Sequence, residues 1–353
     1  MYQKSWITLS ALGLALVACG DTASTTDASN VDAKPVDPPP TGDQTYKVVD
    51  AANALLAGLS ATQRTAVQFD FGDDTQRKRW SNFPTGIFTR KGVRLGDMTT
   101  VQIELTYALL AATLSPAGFQ QIVNTVDADQ ALLESSGGGN LKFGRAEYYV
   151  SILGTPSATT PWMFQFGGHH LAINATIVGK AITLVPSLTG AQPATFVLNG
   201  QTVRPQGVEL DHAFAFVNSL DATQRGKAIK GSSFIDLVLG PGQDGRVLTA
   251  EGLNASELTS AQQDALFVLI ADRAGILNDE DQALRQAELR THLSETYVAW
   301  YGATTVGSPA YYRITGPTLA IEYSPQAMGG NGTDHTHAMY RDPTNDYGKA
   351  LLQ

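Results

Sequence analysis

Histidines are the side chains in this sequence best suited to metal or acid–base chemistry, and four of the six fall into two short clusters. His169 and His170 are adjacent in the apolar stretch FGGHHLAIN, and His335 and His337 flank one threonine. Side chains alternate along an extended chain, so His335 and His337 face one side, whereas His169 and His170 face opposite sides. All four are candidate metal ligands. We predict that His335, His337 and one of the adjacent pair bind the ion directly, with the other beside it.

The donor set predicts the kind of ion. Two or three neutral imidazoles with an open coordination position suit a divalent transition metal, Zn²⁺ or Cu²⁺ above all, and non-haem iron also accepts them. The single cysteine, Cys19, lies far from both clusters, so the folded part of the chain offers no thiolate ligand. An alternative also stands, in which the histidines are hydrogen-bonded parts of the core.

Two carboxylates and one arginine are the predicted catalytic groups. Asp346 is predicted to take a proton from a metal-bound water, Glu147 to act as a second carboxylate near the ion, and Arg341 to stabilise negative charge. For the segment YRDPTNDYG a second interpretation remains open, in which Arg341 pairs with a neighbouring aspartate and only fixes the C-terminal tail.

Three further acidic residues are predicted to support the ligands from a second shell. Asp334 directly precedes the His-Thr-His cluster and can orient an imidazole N–H. Glu295 and Glu322 are placed near the same centre by the repeat described next.

The two histidine clusters lie in similar halves of the chain. ALLAGLSATQR in the first half matches AFVNSLDATQR in the second, and the segment from Glu147 aligns without a gap on the segment from Glu295. Similar blocks in the same order predict an internal duplication, with repeats at about 50–195 and 211–348. Neither cluster has a counterpart in the other copy, so we place the functional site where the copies differ.

The elements that position these residues define an α+β fold. Ser60 and Asp221 are predicted helix caps, and apolar positions at helical spacing predict helices at 99–114 and 259–274. Strands are predicted at 147–153, 162–178, 296–301 and 310–323. Each half therefore contains two or more helices followed by β-strands. We expect the halves to pack about a pseudo-twofold axis that brings the histidine clusters together.

The N-terminus predicts export and lipid anchoring. Residues 1–18 read as a signal peptide too short to remain as a membrane span, and Leu16-Val17-Ala18-Cys19 matches a bacterial lipobox with Cys19 as the lipidation site. The Ser/Thr/Asp/Pro-rich segment 19–44 is a predicted disordered tether, which leaves 45–353 as one globular domain. Gly20 after the cysteine favours the bacterial outer membrane or cell surface.

Several other functions are disfavoured. The net charge of −9 is spread along the chain without a basic stripe, which argues against nucleic acid as a partner. No Gly-x-Ser-x-Gly motif is present, SSGGGN lacks the context of a phosphate-binding loop, and GPGQDGRVLTAEG has too few carboxylates for an EF-hand.

The segments WMFQFGGHHLAIN, YYRITGPTLAIEY and DHTHAMYRDPTNDYG resemble a bacterial and fungal family catalogued as domain of unknown function 3500. The resemblance covers most of the chain after the tether. It implies one coherent domain and brings no established reaction.

Together these features predict an outer-membrane lipoprotein with a histidine-rich metal centre that hydrolyses an extracytoplasmic small molecule or polymer. Two alternatives remain open: a copper- or zinc-binding or redox protein without hydrolytic activity, and a non-catalytic surface binding module.

Overall fold

The computed structural model describes residues 44–327 and 332–352. The predicted signal peptide, Cys19 and the tether up to residue 43 lie outside these residues. Within the described part of the chain, no helix is both long and apolar enough to cross a membrane. The α-helices are α1 (Gln44–Gly58), α2 (Ala61–Val67), α3 (Asp74–Arg77), α4 (Thr100–Thr113), α5 (Pro116–Ser136), α6 (Gly207–Ser219), α7 (Ala222–Ala228), α8 (Ser260–Ala274) and α9 (Asp279–Thr291).

The strands follow the same chain order. They are β1 (Gln68–Phe69), β2 (Val93–Arg94), β3 (Tyr149–Leu153), β4 (Trp162–Gly168), β5 (Leu171–Val178), β6 (Ala181–Thr183), β7 (Ser187–Ala191), β8 (Phe196–Leu198), β9 (Gln201–Val203), β10 (Ile229–Gly231), β11 (Leu253–Asn254), β12 (Tyr297–Gly302), β13 (Ala310–Gly316), β14 (Leu319–Pro325) and β15 (Thr336–Arg341).

Among the described residues, 13 strands form one mixed sheet whose main path is β1-β3-β4-β5-β7-β15-β14-β13-β12-β10. The outermost pairs, β1 with β3 and β10 with β12, are parallel, while β7 and β15 meet antiparallel in the middle. β8 and β9 form a separate hairpin. The predicted α+β class is confirmed.

Helices cover one face of the sheet and long connecting segments cover the other. Alternate residues of β15 show this division, because Ala338 and Tyr340 join a core cluster with helical residues, whereas Met339 joins a cluster with Trp80 and Leu239 from the connecting segments. The face that carries Met339 also carries His337, two residues before it. The metal-ligand candidate of this strand therefore lies on the side covered by connecting segments.

The two predicted capping positions are confirmed and make the same contacts in both halves. Ser60 caps α2 through a capping box with Gln63, whose side chain donates to the carbonyl of Asp97 at 2.9 Å. Asp221 caps α7 in the same way with Gln224, whose side chain donates to a carbonyl just before α8 at 3.0 Å. These bonds attach each short helix to the start of the long helix that follows it.

The strand predicted at 162–178 is corrected by the structure. It is a hairpin of β4 and β5 in which Gly168 pairs with Leu171, so His169 and His170 form the two-residue turn. The segment predicted at 310–323 is also a hairpin, with Pro317 and Thr318 at its turn. Gly167-Gly168 precede the first turn and Gly316-Pro317 lie at the second, and both dipeptides are turn signals; the predictions miss the hairpins because they follow the apolar residues on either side as one strand.

Candidate metal centre

His170 occupies a backbone conformation that is uncommon for a residue with a side chain. Its φ of 60° is left-handed, which costs an L-residue about 1–2 kcal/mol relative to right-handed conformations. The backbone N–H of His170 donates to the carbonyl of Asn82 at 3.2 Å. Strain of this kind persists where the surrounding structure enforces it, and it occurs often at functional sites.

β15 supplies the other two histidines. His337 lies opposite Gly190 of β7, and His335 directly precedes the strand. A Cβ atom on Gly190 would lie 2.8 Å from Cδ2 of His337 and 3.2 Å from Cβ of His170. Because glycine has no side chain, Gly190 leaves the space in which imidazoles from two distant segments approach each other.

Three imidazoles converge at this point. The Nε2 atoms of His170 and His335 are 2.8 Å apart, and one ligand atom from each of His170, His335 and His337 lies within 4.8 Å of the others. All three side chains are buried. A zinc ion at about 2.0–2.1 Å from tetrahedral ligands needs nitrogens roughly 3.3 Å apart. The three residues therefore lie close enough together that they could hold one metal ion.

Burial keeps His170 and His337 in the form that can bind a metal. Desolvation lowers the pKa of His170 well below 6.5, and the neighbouring histidines lower it further. Burial, followed by the charges of His335 and His169, lowers the pKa of His337 in the same direction. A neutral imidazole has a free lone pair, so His170 and His337 present nitrogen donors without first releasing protons.

His169 lies beside these three histidines and makes a different set of contacts. Its ring stacks on that of His170 with centroids 3.6 Å apart, and its Nδ1 lies 2.7 Å from a carboxylate oxygen of Asp129. Asp129 belongs to α5, is fully buried, and also accepts the N–H of Gly144 at 2.7 Å. Tyr148 donates its hydroxyl to the carbonyl of His169. The imidazole of His169 is therefore held in one orientation against the ring of His170.

Asn82 and Asp129 were not identified from the sequence. The side chain of Asn82 lies 3.4 Å from Nε2 of His337, in addition to its backbone contact with His170. The one local signal for Asp129 is an acidic residue at a buried position of a helix, which becomes visible only when the helix is placed against the sheet.

The predicted catalytic pair in the C-terminal tail lies elsewhere. Arg341 is on the same strand face as His337, four residues further on, which separates them by roughly 13 Å at about 3.3 Å per residue. Its buried guanidinium donates to Asp346 at 2.6 Å and to Asp244 at 3.1 Å. It also donates to the carbonyls of Leu239 and Gly240. These contacts fit the second interpretation, in which Arg341 fixes the tail.

The structure gives Glu147 and Glu322 other partners as well. Glu147 pairs with Arg94 at 2.8 Å. Glu322 is fully buried and accepts hydrogen bonds from the backbone of Val238 and Leu239 and from the hydroxyl of Tyr311. Glu322 thus anchors a connecting segment to the sheet, and Glu147 forms part of a partly exposed ion pair.

The remaining predicted residues are exposed. A carboxylate oxygen of Glu295 lies 3.3 Å from Nδ1 of His292. The backbone carbonyl of Asp334 accepts a hydrogen bond from the N–H of Ala194. The sixth histidine, His212, pairs with an aspartate of α8. In the described part of the chain, the structure therefore brings His170, His335 and His337 together, places His169 beside them, and gives the predicted carboxylates separate contacts.

Comparison with known protein families agrees with the resemblance noted in the sequence. The family described as "Protein of unknown function (DUF3500)" matches residues 41–349, so the chain belongs to this family. No curated protein and no solved structure matches the chain.

Proposed function

We propose that this protein is a metalloprotein in which His170, His335 and His337 bind one divalent transition metal, zinc or copper. The observation that carries this proposal is the approach of three buried imidazoles from two distant segments to within 4.8 Å. Grouping three basic rings in the interior without a ligand has little benefit to folding, whereas an ion would use all three lone pairs.

The chemistry that we propose for this centre is hydrolysis of an extracytoplasmic ester, amide or related bond. A zinc ion held by His170, His335 and His337 would polarise a water molecule for attack on the bond. His169 is the group best placed to accept the proton. Its Nδ1 is held by Asp129, which leaves Nε2 for acid–base work beside His170. We therefore give His169 the role that the sequence suggests for Asp346.

A copper protein without hydrolytic activity is the second candidate. Nitrogen ligands without a thiolate or thioether favour Cu²⁺ over Cu⁺, and the described centre contains imidazoles alone. Electron paramagnetic resonance of the purified protein separates the two candidates, because Cu²⁺ gives a signal and Zn²⁺ gives none.

Metal content tests the shared proposal. We expect about one equivalent of zinc or copper per chain in the wild-type protein and a large loss in His335→Ala and His337→Ala. His212→Ala is the matched control, because His212 pairs with Asp272 outside the centre. A metal-free wild-type protein that also fails to bind added Zn²⁺ or Cu²⁺ would overturn the proposal.

Hydrolysis needs its own test, which distinguishes it from metal binding. With zinc-loaded protein and a panel of nitrophenyl esters and amides, His169→Gln is expected to keep the ion and to lose about 10²–10⁴-fold in kcat. Asp129→Asn is expected to shift the pH profile of the remaining activity. If the metal-loaded protein cleaves no member of the panel, or if His169→Gln is as active as the wild type, the hydrolytic proposal fails and metal binding stands.

We further propose that the fold arose by internal duplication, with the two halves related by a pseudo-twofold axis between β7 and β15. The strand order supports this, since β1-β3-β4-β5-β7 and β10-β12-β13-β14-β15 run inward from opposite edges with matching pairings. The capping contacts of Ser60 and Asp221 are equivalent as well. Superposition of the two halves tests the proposal, because unrelated halves would not align over all of these strands.

Attachment to the bacterial outer membrane through a lipid on Cys19 is also a proposal, supported by the lipobox sequence alone. Mass spectrometry of the N-terminal peptide from the producing cells, with Cys19→Ser as the comparison, tests it. A diacylated Cys19 in the outer-membrane fraction supports the proposal, and an unmodified thiol contradicts it.

A further inference from the structure

A cavity of about 610 Å³ lies where three connecting segments meet near the Arg341 end of β15. Its walls come from Phe71 to Lys78, from the loop at Asp244 to Val247, and from the C-terminal tail. None of these residues belongs to the metal centre. The cavity therefore forms a second site, separate from the histidines.

The charges around this cavity do not balance. It is lined by five cationic residues and three aspartates, in a chain whose net charge is −9. Asp244 and Asp346 are both engaged by Arg341, and Asp74 pairs with Lys78. Three cationic residues remain without a carboxylate partner among the described residues: Arg77, Arg246 and Lys349.

Arg77 is the most informative of these three. It is buried, with 8% of its surface exposed, and donates only to neutral carbonyl groups, those of Phe71 and Tyr347. Its guanidinium also lies 4.4 Å from the centre of the Phe71 ring. Burial lowers the pKa of Arg77. The charge of Asp74 opposes this lowering, but the Asp74 carboxylate pairs with Lys78. A buried guanidinium that no carboxylate contacts is costly, and a bound anion at this position would offset that cost.

The wall opposite is held in place by hydrogen bonds. Trp80 donates its indole N–H to the hydroxyl of Tyr347, and that hydroxyl donates to Asp244 at 2.7 Å. The backbone of Tyr347 is left-handed, with φ of 60°, and its N–H donates to the carbonyl of Val185. The cavity is thus formed before any ligand arrives, which reduces the entropic cost of binding.

The mouth of the cavity combines charge with apolar surface. Val247 is 69% exposed and Leu352 is 41% exposed, and both line the cavity together with Phe71. Exposed aliphatic side chains beside unpaired cationic groups match a ligand with an anionic head and an apolar body.

We propose that this cavity binds a small organic anion, whose carboxylate or phosphate is held by Arg77, Arg246 and Lys349 and whose apolar part contacts Phe71, Val247 and Leu352. Guanidinium groups recognise both head groups through paired N–H donors. The proposal is independent of the metal centre, since none of the six residues contributes a ligand to it.

Isothermal titration calorimetry with four probes tests the proposal on the full chain. Benzoate and phenyl phosphate carry both features, inorganic phosphate carries only the charge, and benzyl alcohol carries only the ring. We expect benzoate or phenyl phosphate to bind more tightly than inorganic phosphate and benzyl alcohol, with affinity that falls as salt rises. The tighter of the two aromatic anions identifies the head group. The same result is expected with and without a chelator, which separates this site from the metal centre.

Variants complete the test. Arg246→Gln and Lys349→Gln change exposed side chains, so the double variant is expected to fold normally and to bind the anion at least about tenfold more weakly. Lys230→Gln removes an exposed charge outside the cavity and should bind as the wild type does. The proposal is overturned if neither aromatic anion binds, if benzyl alcohol binds equally well, or if the double variant retains wild-type affinity.

Discussion

The Nε2 atoms of His170 and His335 lie 2.8 Å apart although 165 positions separate the two residues in the sequence. One ring comes from the turn between β4 and β5, and the other directly precedes β15. Their contact depends on β7, which pairs with both β5 and β15 and carries Gly190 beneath the rings. The geometry of the centre therefore depends on the correct pairing of the middle strands as well as on the histidine side chains.

The left-handed backbone of His170 allows its structural and ligand roles to be separated. Asparagine tolerates this conformation, so His170→Asn is expected to stay within about 1 kcal/mol of wild-type stability while losing the third ligand. Calorimetric titration should show that the affinity for Zn²⁺ falls by more than about 10–100-fold, which is the loss typical when a residue that only contacts a metal ligand is replaced. His170→Val, which is β-branched, should be clearly less stable in urea. Equal stability of the two variants would contradict the backbone argument.

Gly190→Ala should disturb the same centre through the strand beneath it. The new Cβ would lie 2.7 Å from the carbonyl oxygen of Thr336 and 2.8 Å from His337, so we expect destabilisation of about 1–3 kcal/mol and weaker metal binding. Gly226→Ala is the control, because its Cβ would meet no atom within 4 Å on a helix surface. That change should be neutral or stabilising by up to about 1 kcal/mol. Urea unfolding and zinc titration of both variants check the prediction.

A buried ion pair between α6 and α8 gives a prediction that does not involve the metal centre. Arg273 and Glu209 are paired with almost no exposure, and Glu209 also accepts the hydroxyl of Tyr312 at 2.7 Å. Arg273→Met leaves the carboxylate buried and uncompensated, so unfolding free energy should fall by about 3–5 kcal/mol. The double variant Arg273→Met with Glu209→Gln should recover part of this loss. A double variant no more stable than Arg273→Met alone would argue against this account.

Glu322 predicts a dependence of stability on pH. Burial raises the pKa of this carboxyl above 4.5, against the lowering effect of its hydrogen bonds. Between 4.5 and the higher folded value, the folded protein holds a proton that the unfolded chain has released. The stabilisation of the folded state by Glu322 is thus complete below pH 4.5 and is lost as pH rises through the pKa of the folded protein.

The comparison with Glu322→Gln isolates this effect, because other titrating groups are common to both proteins. The unfolding free energy of the wild type relative to the variant should decrease as pH rises above 4.5. Urea denaturation at a series of pH values measures it, and a relative stability that increases with pH would contradict the raised pKa.

Most of the correct predictions from the sequence depend on patterns among neighbouring residues. The capping boxes at Ser60 and Asp221 and the helices α4 and α8 depend on neighbouring residues, and the structure confirms them within a residue or two. The sequence pattern does not mark the longest helix, α5, and it predicts single strands where the structure has two hairpins. Both segments contain a turn signal, Gly167-Gly168 in one and Gly316-Pro317 in the other, but the β-forming residues on each side favour one long strand when the turn residues are given little weight.

The candidate site could be predicted only in part, because several of its contacts join residues that are far apart in the sequence. Clustering along the sequence identified the four histidines, but Asp129 is 40 positions from its histidine partner and Asn82 is 255 positions from His337. Arg341 received a catalytic role from its neighbours in sequence, whereas one of its partners, Asp244, is 97 positions away. Contacts of this length depend on the path of the whole chain, which residue types and spacing do not specify.

The position of β15 has a consequence for how the polypeptide can be shortened. This strand, close to the C-terminus, is the piece that joins β7 to β14. A chain ending before Thr336 would divide the sheet into two fragments, each with a newly unpaired border of backbone amides and carbonyls open to other molecules. Such truncated products should precipitate or be degraded, and the missing stretch, supplied as a separate peptide, is the natural candidate to restore them.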